Sequence, residues 1–270
     1  MLMRNTAIVP HTTLIWYKYS VLYLIYDSCT NSMSYIFLFR HGESRWNVMN
    51  KFSGCVDVPL SEIGMHEAMI SSEKIRNIKI DVAFTSHLIR AQSTMSIMLA
   101  DQKNTGIFLH EDHRDRIRYQ VSQLNGEIPV HNTATLNERY YGLLQGMKKH
   151  EAAKKYGKEK VLEWRRGWNT RPPKGESLKD VYRRVVPYYH SHILPHVKKN
   201  HNILIVAHGN TLRAIIKYME NISDNDIARL ELAPAQPFIY KHSKTGLKRT
   251  VGDLNFDRPI YWQMPSKNSQ

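Results

Sequence analysis

Two apolar runs of this chain end in the same dipeptide. Tyr35 to Phe39 leads into Arg40-His41-Gly42, and Ile203 to Ala207 leads into His208-Gly209-Asn210. A neutral imidazole exposes a lone pair without help from a base, and a guanidinium beside it binds phosphate or carboxylate through paired donors. The combination makes an anion-handling nucleophile. Short unbroken apolar runs suit strands buried on both faces, and Gly42 permits a sharp turn after the first. In open α/β sheets the carboxyl ends of the strands face the ligand crevice. If the two strands lie side by side and parallel, His41 and His208 meet at one edge of the sheet with Arg40 between them. Taken alone, either run also reads as a core histidine with a solvated arginine; the repetition favours the site.

Other groups could serve the same chemistry. Asp81 to Thr85 reads as a strand, and Ser86 as the residue opening a helix whose first turns present Arg90. Free amides at a helix N-terminus favour anions, and Arg90 adds a fixed charge there; a solvated helical arginine is the alternative. Leu136 to Gly146 is a glycine-bounded turn carrying Glu138, Tyr140 and Tyr141, in which Glu138 reads either as a general acid or as an ordinary solvated carboxylate. Residues 148–169 form a basic helical segment with Lys149, Trp164, Arg165 and Arg166. Nucleic acid is one reading of tryptophan beside paired arginines, but no recognition fold surrounds it, and the forks suit a substrate's phosphate or carboxylate better. His110 and His113 have a spacing at which a helix could bind metal, yet acids and arginines surround them and no third ligand is in view, so about 110–130 reads as a solvated insertion loop.

These residues need a scaffold, and 270 residues suffice for one large α/β domain. A net charge of +14 fits an acidic small substrate or a polyanion and does not choose between them. Cys29 and Cys55 are the only cysteines, which excludes a disulfide framework and a cysteine-rich metal site and points to a reducing compartment. After the first motif, Phe52 to Ser61 is a loop in which Ser61 caps a helix running to about Arg76, with Gly64 in its first turn. Glu176 opens a helix to about Lys199, bent at Pro187 and with Pro195 near its end, and beyond about Tyr240 a polar tail crosses the surface loosely. The expected organisation is an extension over 1–33 outside the fold, a domain over 34–250, and a tail over 251–270.

Arg40-His41-Gly42-Glu43-Ser44 resembles the signature of the histidine phosphatase superfamily. Leu136-Asn137-Glu138-Arg139-Tyr140-Tyr141-Gly142 and Ala207-His208-Gly209-Asn210-Thr211-Leu212-Arg213 narrow the resemblance to the cofactor-dependent phosphoglycerate mutases, over roughly residues 34–240. The resemblance implies an α/β three-layer sandwich with a mostly parallel central sheet and helices on both faces. It implies a cytoplasmic glycolytic isomerase that interconverts 3-phosphoglycerate and 2-phosphoglycerate, primed by 2,3-bisphosphoglycerate, with no metal. By the family pattern His41 is the phosphorylated nucleophile and Glu138 the general acid and base, while Arg40, Arg90 and His208 surround the transferring phosphoryl group. Ser44, Asn47, Ser53, Gly54, Gly209 and Asn210 match positions lining the pocket, and Tyr141, Lys149, Arg165 and Arg166 match those holding the rest of the substrate.

Three departures stand out. Ala134-Thr135 replaces the usual Trp-Arg before Leu-Asn-Glu-Arg, the insertion at about 110–130 has no counterpart in typical members, and the segment between Pro173 and Glu176 collapses to Lys174-Gly175. The last leaves a homodimer and a monomer both open. A phosphatase of the same superfamily and a non-enzymatic polyanion binder are the competing functions, with no nucleic-acid or membrane partner expected.

Leu14 to Tyr26 is apolar and aromatic but interrupted by Lys18, too short for the about 20 apolar residues of a span, and followed by a poor cleavage site at Asp27-Ser28-Cys29-Thr30. The simplest account is translation from Met33, with targeting or membrane association as the alternative. A chain beginning at Met33 is therefore expected to fold and keep full activity, measured by melting temperature and specific activity side by side with the full chain; lost solubility or a large fall in melting temperature would refute this.

Overall fold

The apolar run before His41 forms a strand, β1 (Ser34–Arg40), whose residues alternate between two cores. Ile36 and Leu38 join one; Phe37 and Phe39 join the other. The computed structural model describes residues 33–111, 125–234 and 236–250. The extension up to residue 32, His113 with the middle of the insertion, and the tail from 251 lie outside the described residues.

Seven strands form one sheet in the order β3-β4-β2-β5-β1-β6-β7. They are β1, β2 (Val82–Ser86), β3 (Gly106–His110), β4 (Ile128–Thr133), β5 (Ile203–Ala207), β6 (Phe238–Ser243) and β7 (Gly246–Arg249). The first five in this order of pairing run parallel, and β6 and β7 are antiparallel additions beside β1. Every residue of β2 and β5 is buried, which accounts for the unbroken apolar sequence of β5, whereas β2 ends in the buried polar residues Thr85 and Ser86.

After the short helix α1 (Arg45–Val48), helices α2 (Glu62–Ile75) and α3 (Ile89–Ala100) cover one face. Ile75, Met95, Met98 and Leu99 meet Phe37, Phe39, Leu204 and Val206 there. Two further helices, α4 (Lys149–Tyr156) and α5 (Lys158–Arg166), precede α6 (Leu178–Tyr188), α7 (Leu194–Lys198) and α8 (Gly209–Glu220). From α6, α7 and α8, Val185, Val197 and Ile215 meet Ile36, Phe84 and Ile205 on the opposite face. The layers are those of the expected sandwich. A third, smaller core of Phe52, Leu144, Ala152, Val161 and Trp164 joins the loop after α1 to α4 and α5, and so fixes the helices that carry Lys149, Arg165 and Arg166.

Several local expectations change. Ser86 ends β2 rather than opening a helix, and α3 starts at Ile89 after Leu88 as N-cap. The basic segment after residue 148 is two helices, because Gly157 takes φ +90° between them. The helix after Glu176 is interrupted by a π-turn at Tyr189–Ile193; Pro187 lies inside α6, and Pro195 occupies the first turn of α7, where a missing N–H costs nothing. Both described ends of the supposed insertion loop are ordered: His110 closes β3, and Ile128 to His131 belong to β4. The chain beyond Tyr240 does not wander over the surface as far as Arg249, since β6 and β7 form a hairpin in register with β1.

Ser61 caps α2 as expected, its hydroxyl accepting from Gly64 N at 3.0 Å while donating to Glu43 O at 3.1 Å. That brings α2 against the turn after β1. A Cβ on Gly64 would lie 2.0 Å from Glu43 O, and one on Gly42 would lie 2.1 Å from Gly64 O. Gly42 is thus required for close approach, its φ not being among the positive ones. Alanine at a helix position normally gains about 1 kcal/mol over glycine, whereas forced overpacking costs about 1–3 kcal/mol. The net cost of up to about 2 kcal/mol means that Gly64→Ala is expected to lower the melting temperature by up to roughly 8 °C, followed by circular dichroism; an unchanged or raised melting temperature would show that the turn yields.

Candidate active site

Pairing of Arg40 with Ala207 sets β1 and β5 flush, so the chain leaves both strands at the same level. His41 N donates to Ala207 O at 3.0 Å, and the rings of His41 and His208 stand 5.0 Å apart between centroids. His41 Nδ1 lies 2.6 Å from Gly42 O, and Arg90 Nε donates to His41 Nε2 at 3.2 Å. A carbonyl only accepts and a guanidinium only donates, so Nδ1 carries the proton and Nε2 presents its lone pair. Burial, then Arg90 and Arg40, push the His41 pKa well below the ordinary value, against a smaller opposing effect of Gly42 O.

His208 is wholly buried, with Nε2 2.7 Å from Ser86 Oγ and no hydrogen-bond partner for Nδ1. Burial, with Arg90, His41, Arg184 and Arg40, drives its pKa well down. His208 is therefore a neutral ring in this environment. Its partner Ser86 was missed because a serine between a strand and a helix pattern reads first as an N-cap.

The guanidinium in contact with His41 is that of Arg90, not Arg40. Arg90 is 1% exposed and also donates to Gly54 O at 2.7 Å and Val56 O at 2.9 Å, so it ties the loop after α1 to the histidine. Gly54 reaches this position with φ +53°, in the left-handed region that favours glycine. Arg40 instead donates through Nη1 to Leu232 O at 3.0 Å.

Glu138 arrives from the turn after β4. Its Oε1 accepts from Arg139 N at 2.7 Å and from Asn210 Nδ2 at 3.0 Å, which couples it to the start of α8 just past His208. Arg184 of α6 braces the same turn by donating to the carbonyls of Thr135, Asn137 and Glu138. Cys55 Sγ also donates to Glu138 O, and burial pushes its thiol up to about 11, so it packs as a neutral group. Arg139 is fully buried, donating to Tyr141 OH and Arg165 O at 2.9 Å each.

A cavity of about 260 Å³ opens over these groups. Arg40, His41, Asn47, Ser53, Gly54, Arg90, Glu138, Tyr141, Lys149, Arg165, Arg166, Gly209 and Asn210, all singled out in the sequence, line it. His208 lies beside His41 without being part of the lining, and Ser44 is also outside it. Ser44 is buried in a capping box with Asn47, donating to Asn47 Oδ1 at 2.8 Å, and so holds the turn that presents Asn47. Lys51, Phe52, Arg213, Glu231 and Leu232 complete the lining and were not singled out from sequence. Arg213 stood in the third motif, but its helical position gave no sign that it would reach the cavity.

Seven cations, Arg40, Lys51, Arg90, Lys149, Arg165, Arg166 and Arg213, face only two carboxylates in this lining. Burial, then Arg165 and Arg40, lower the Lys149 pKa, the mark of a cation lacking its counter-charge. Arg40 Nε and Arg166 Nη1 are buried donors without partners. The donor set fits a multiply charged anion. Among the described residues no three His, Cys, Asp or Glu side chains are grouped to hold a metal, and no helix is long and apolar enough to cross a membrane.

The sequence model of the Histidine phosphatase superfamily (branch 1) matches residues 36–117 and 115–250. The chain is 44% identical over 235 residues to a 2,3-bisphosphoglycerate-dependent phosphoglycerate mutase of Methanosarcina acetivorans, covering 80% of this chain and 95% of that protein. A Gloeobacter violaceus protein described as 2,3-bisphosphoglycerate-dependent phosphoglycerate mutase 1 is 45% identical over 221 residues, 78% of this chain and 95% of its own. Among solved structures, YhfR of Bacillus stearothermophilus superposes with a TM-score of 0.64 at 21% identity, covering 83% of this chain and 98% of that one, a likeness of fold. With motifs, fold and relatives in agreement, the chain belongs to the histidine phosphatase superfamily and, within it, to the 2,3-bisphosphoglycerate-dependent phosphoglycerate mutases.

Proposed function

We propose that this protein interconverts 3-phosphoglycerate and 2-phosphoglycerate through a phosphohistidine on His41. The observation that carries the mechanism is the protonation pattern of that ring, with Nδ1 tied to Gly42 O and the Nε2 lone pair directed at a guanidinium in a cation-lined cavity. 2,3-Bisphosphoglycerate, when bound, supplies the phosphoryl group that primes the enzyme; the buried free donors of Arg40 and Arg166 and the cationic lining fit such a ligand.

His41 Nε2 attacks phosphorus as the phosphorus–oxygen bond to the leaving hydroxyl breaks, and Glu138 gives that oxygen its proton. Arg90 exchanges its hydrogen bond with Nε2 for one with a phosphoryl oxygen; Arg40 adds charge, and the neutral ring of His208 adds hydrogen-bonding capacity, around the transferring group. In the step that restores His41, the free hydroxyl of a monophosphoglycerate attacks the phosphohistidine and loses its proton to Glu138, so that the glycerate carries two phosphates. The doubly phosphorylated glycerate has to turn around without leaving before His41 takes its other phosphoryl group. Lys149, Arg165, Arg166 and Tyr141 hold it meanwhile, with Asn47, Ser53, Gly54, Gly209 and Asn210 shaping the pocket. No step calls for a metal. The domain over 34–250 acts as a unit in this account, in the cytoplasm.

Incubation with labelled 2,3-bisphosphoglycerate should place an acid-labile phosphate on His41, and His41→Ala should lose both label and turnover; label persisting in the variant would refute the assignment. Because its pKa is depressed, the His41 ring should remain neutral and Nδ1-protonated as pH falls from 8 to 6 in phosphate-free buffer, read by ¹⁵N NMR. Protonation with a midpoint at the ordinary value of about 6.5 would contradict the observed environment.

The mutase reading is separated from a phosphatase by what Arg165 and Arg166 do. Loss of a charge-assisted hydrogen bond costs about 1.5–3 kcal/mol, or roughly 10- to 100-fold in retention. Arg165→Ala combined with Arg166→Ala should cut isomerisation by at least that factor while free phosphate released per phosphoenzyme rises. Isomerisation and phosphate release are followed together, with and without 2,3-bisphosphoglycerate. An unmutated protein that mainly releases phosphate and ignores the primer would be a phosphatase.

A further inference from the structure

Three of the seven pocket arginines and lysines are tied to one short segment of the chain. Between the 3-10 turn Asp226–Arg229 and β6, residues Leu230, Glu231 and Leu232 pass over the cavity, and the last two line it. Leu230 O accepts from Arg213 Nε at 2.9 Å and Leu232 O from Arg40 Nη1 at 3.0 Å. Glu231 Oε1 pairs with Arg166 Nη2 at 2.5 Å, and its Oε2 lies 3.9 Å from Arg213 Nη2. The segment thus supplies the guanidiniums with the same chemistry, a carboxylate and carbonyl oxygens, that an anionic ligand brings.

The two sides of this contact are unequal. The Glu231 side chain is 70% exposed, whereas Arg166 is 28% and Arg213 11% exposed. An ion pair with one partner in water is weak and is screened by salt. Meanwhile Arg166 Nη1 and Arg40 Nε remain buried without acceptors, so Glu231 leaves donors unsatisfied that a ligand with more oxygens could meet. A phosphate or carboxylate entering the cavity can therefore replace Glu231 with gain, and Glu231 can swing into solvent.

Given the proposed function, we infer that Glu231 is a displaceable internal anion. It competes with the ligand's charged group for Arg166, and the strap Leu230–Leu232 loosens from the arginines as the ligand binds. It lowers the affinity for phosphoglycerates and keeps the cationic pocket from retaining product.

Glu231→Gln removes the charge and keeps the size and one carbonyl acceptor. Two readouts on the full chain test it: calorimetric binding of inorganic pyrophosphate, which a cation-lined cavity takes up whatever reaction it performs, and KM for 3-phosphoglycerate. At low ionic strength pyrophosphate should bind about 2- to 5-fold more tightly, the range expected from an exposed ion pair, and KM should fall in parallel. High salt should erase the difference, and so should Arg166→Gln as the background for the same change. Unchanged or weaker pyrophosphate binding, in a variant whose melting curve matches the parent, would overturn the inference and make Glu231 a group that positions Arg166. Tighter pyrophosphate binding without any isomerisation would keep the internal anion and defeat the proposed function. Isomerisation with unchanged pyrophosphate binding would do the opposite.

Discussion

The arrangement depends on one buried guanidinium. Arg90 is almost wholly removed from water, yet its hydrogen bonds go to two carbonyls and an imidazole rather than to a carboxylate. Burying an unpaired cation is expensive, and it persists only where surrounding dipoles over-determine its position. The loop over 53–56, the turn after β1 and the first turns of α3 are all shaped to meet that demand. In return the guanidinium fixes the tautomer of His41, adds to burial in keeping both histidines neutral, and leaves a positive field that an anion completes. Stability and affinity are linked here: any dianion that binds the folded chain also stabilises it.

The opposite wall of the cavity is held differently. Glu138 lies on a turn with little regular structure of its own, and its position derives from Asn210 on one side and Arg184 behind. Arg184 also pairs with Glu176 at 3.1 Å, so the carboxylate is braced by a helix on the far layer of the sandwich. A proton-transfer group on a turn needs such bracing, because a displacement of an ångström separates it from the oxygen it serves.

Much of this was legible in the chain itself. The repeated strand, histidine and glycine gave the parallel neighbours β1 and β5, since a fully buried strand has a plain apolar signature and its end is marked by the first polar residue. Motifs at the ends of those strands single out only part of the cavity lining, namely Arg40, His41, Gly209 and Asn210. What stayed hidden depends on tertiary proximity. Ser86 reads in sequence as the residue opening a helix, whereas it ends β2 with its hydroxyl against His208. Ser44 was given to the pocket because its neighbours belong there, although its hydroxyl closes a local cap. The hairpin β6–β7 was missed because its outer strand is polar and exposed, so no periodicity distinguishes it from a loop.

That hairpin also governs access. Strand β6 runs antiparallel to β1, with Phe238 paired to Leu38 near the strand end that carries His41. Chain entering β6 must therefore arrive from the rim where the parallel strands finish, and whatever separates α8 from β6 is obliged to cross the opening. Insertions or deletions in that stretch would widen or narrow the aperture while leaving every strand in place, so a single linker can be varied to retune which ligands enter without disturbing the machinery beneath it.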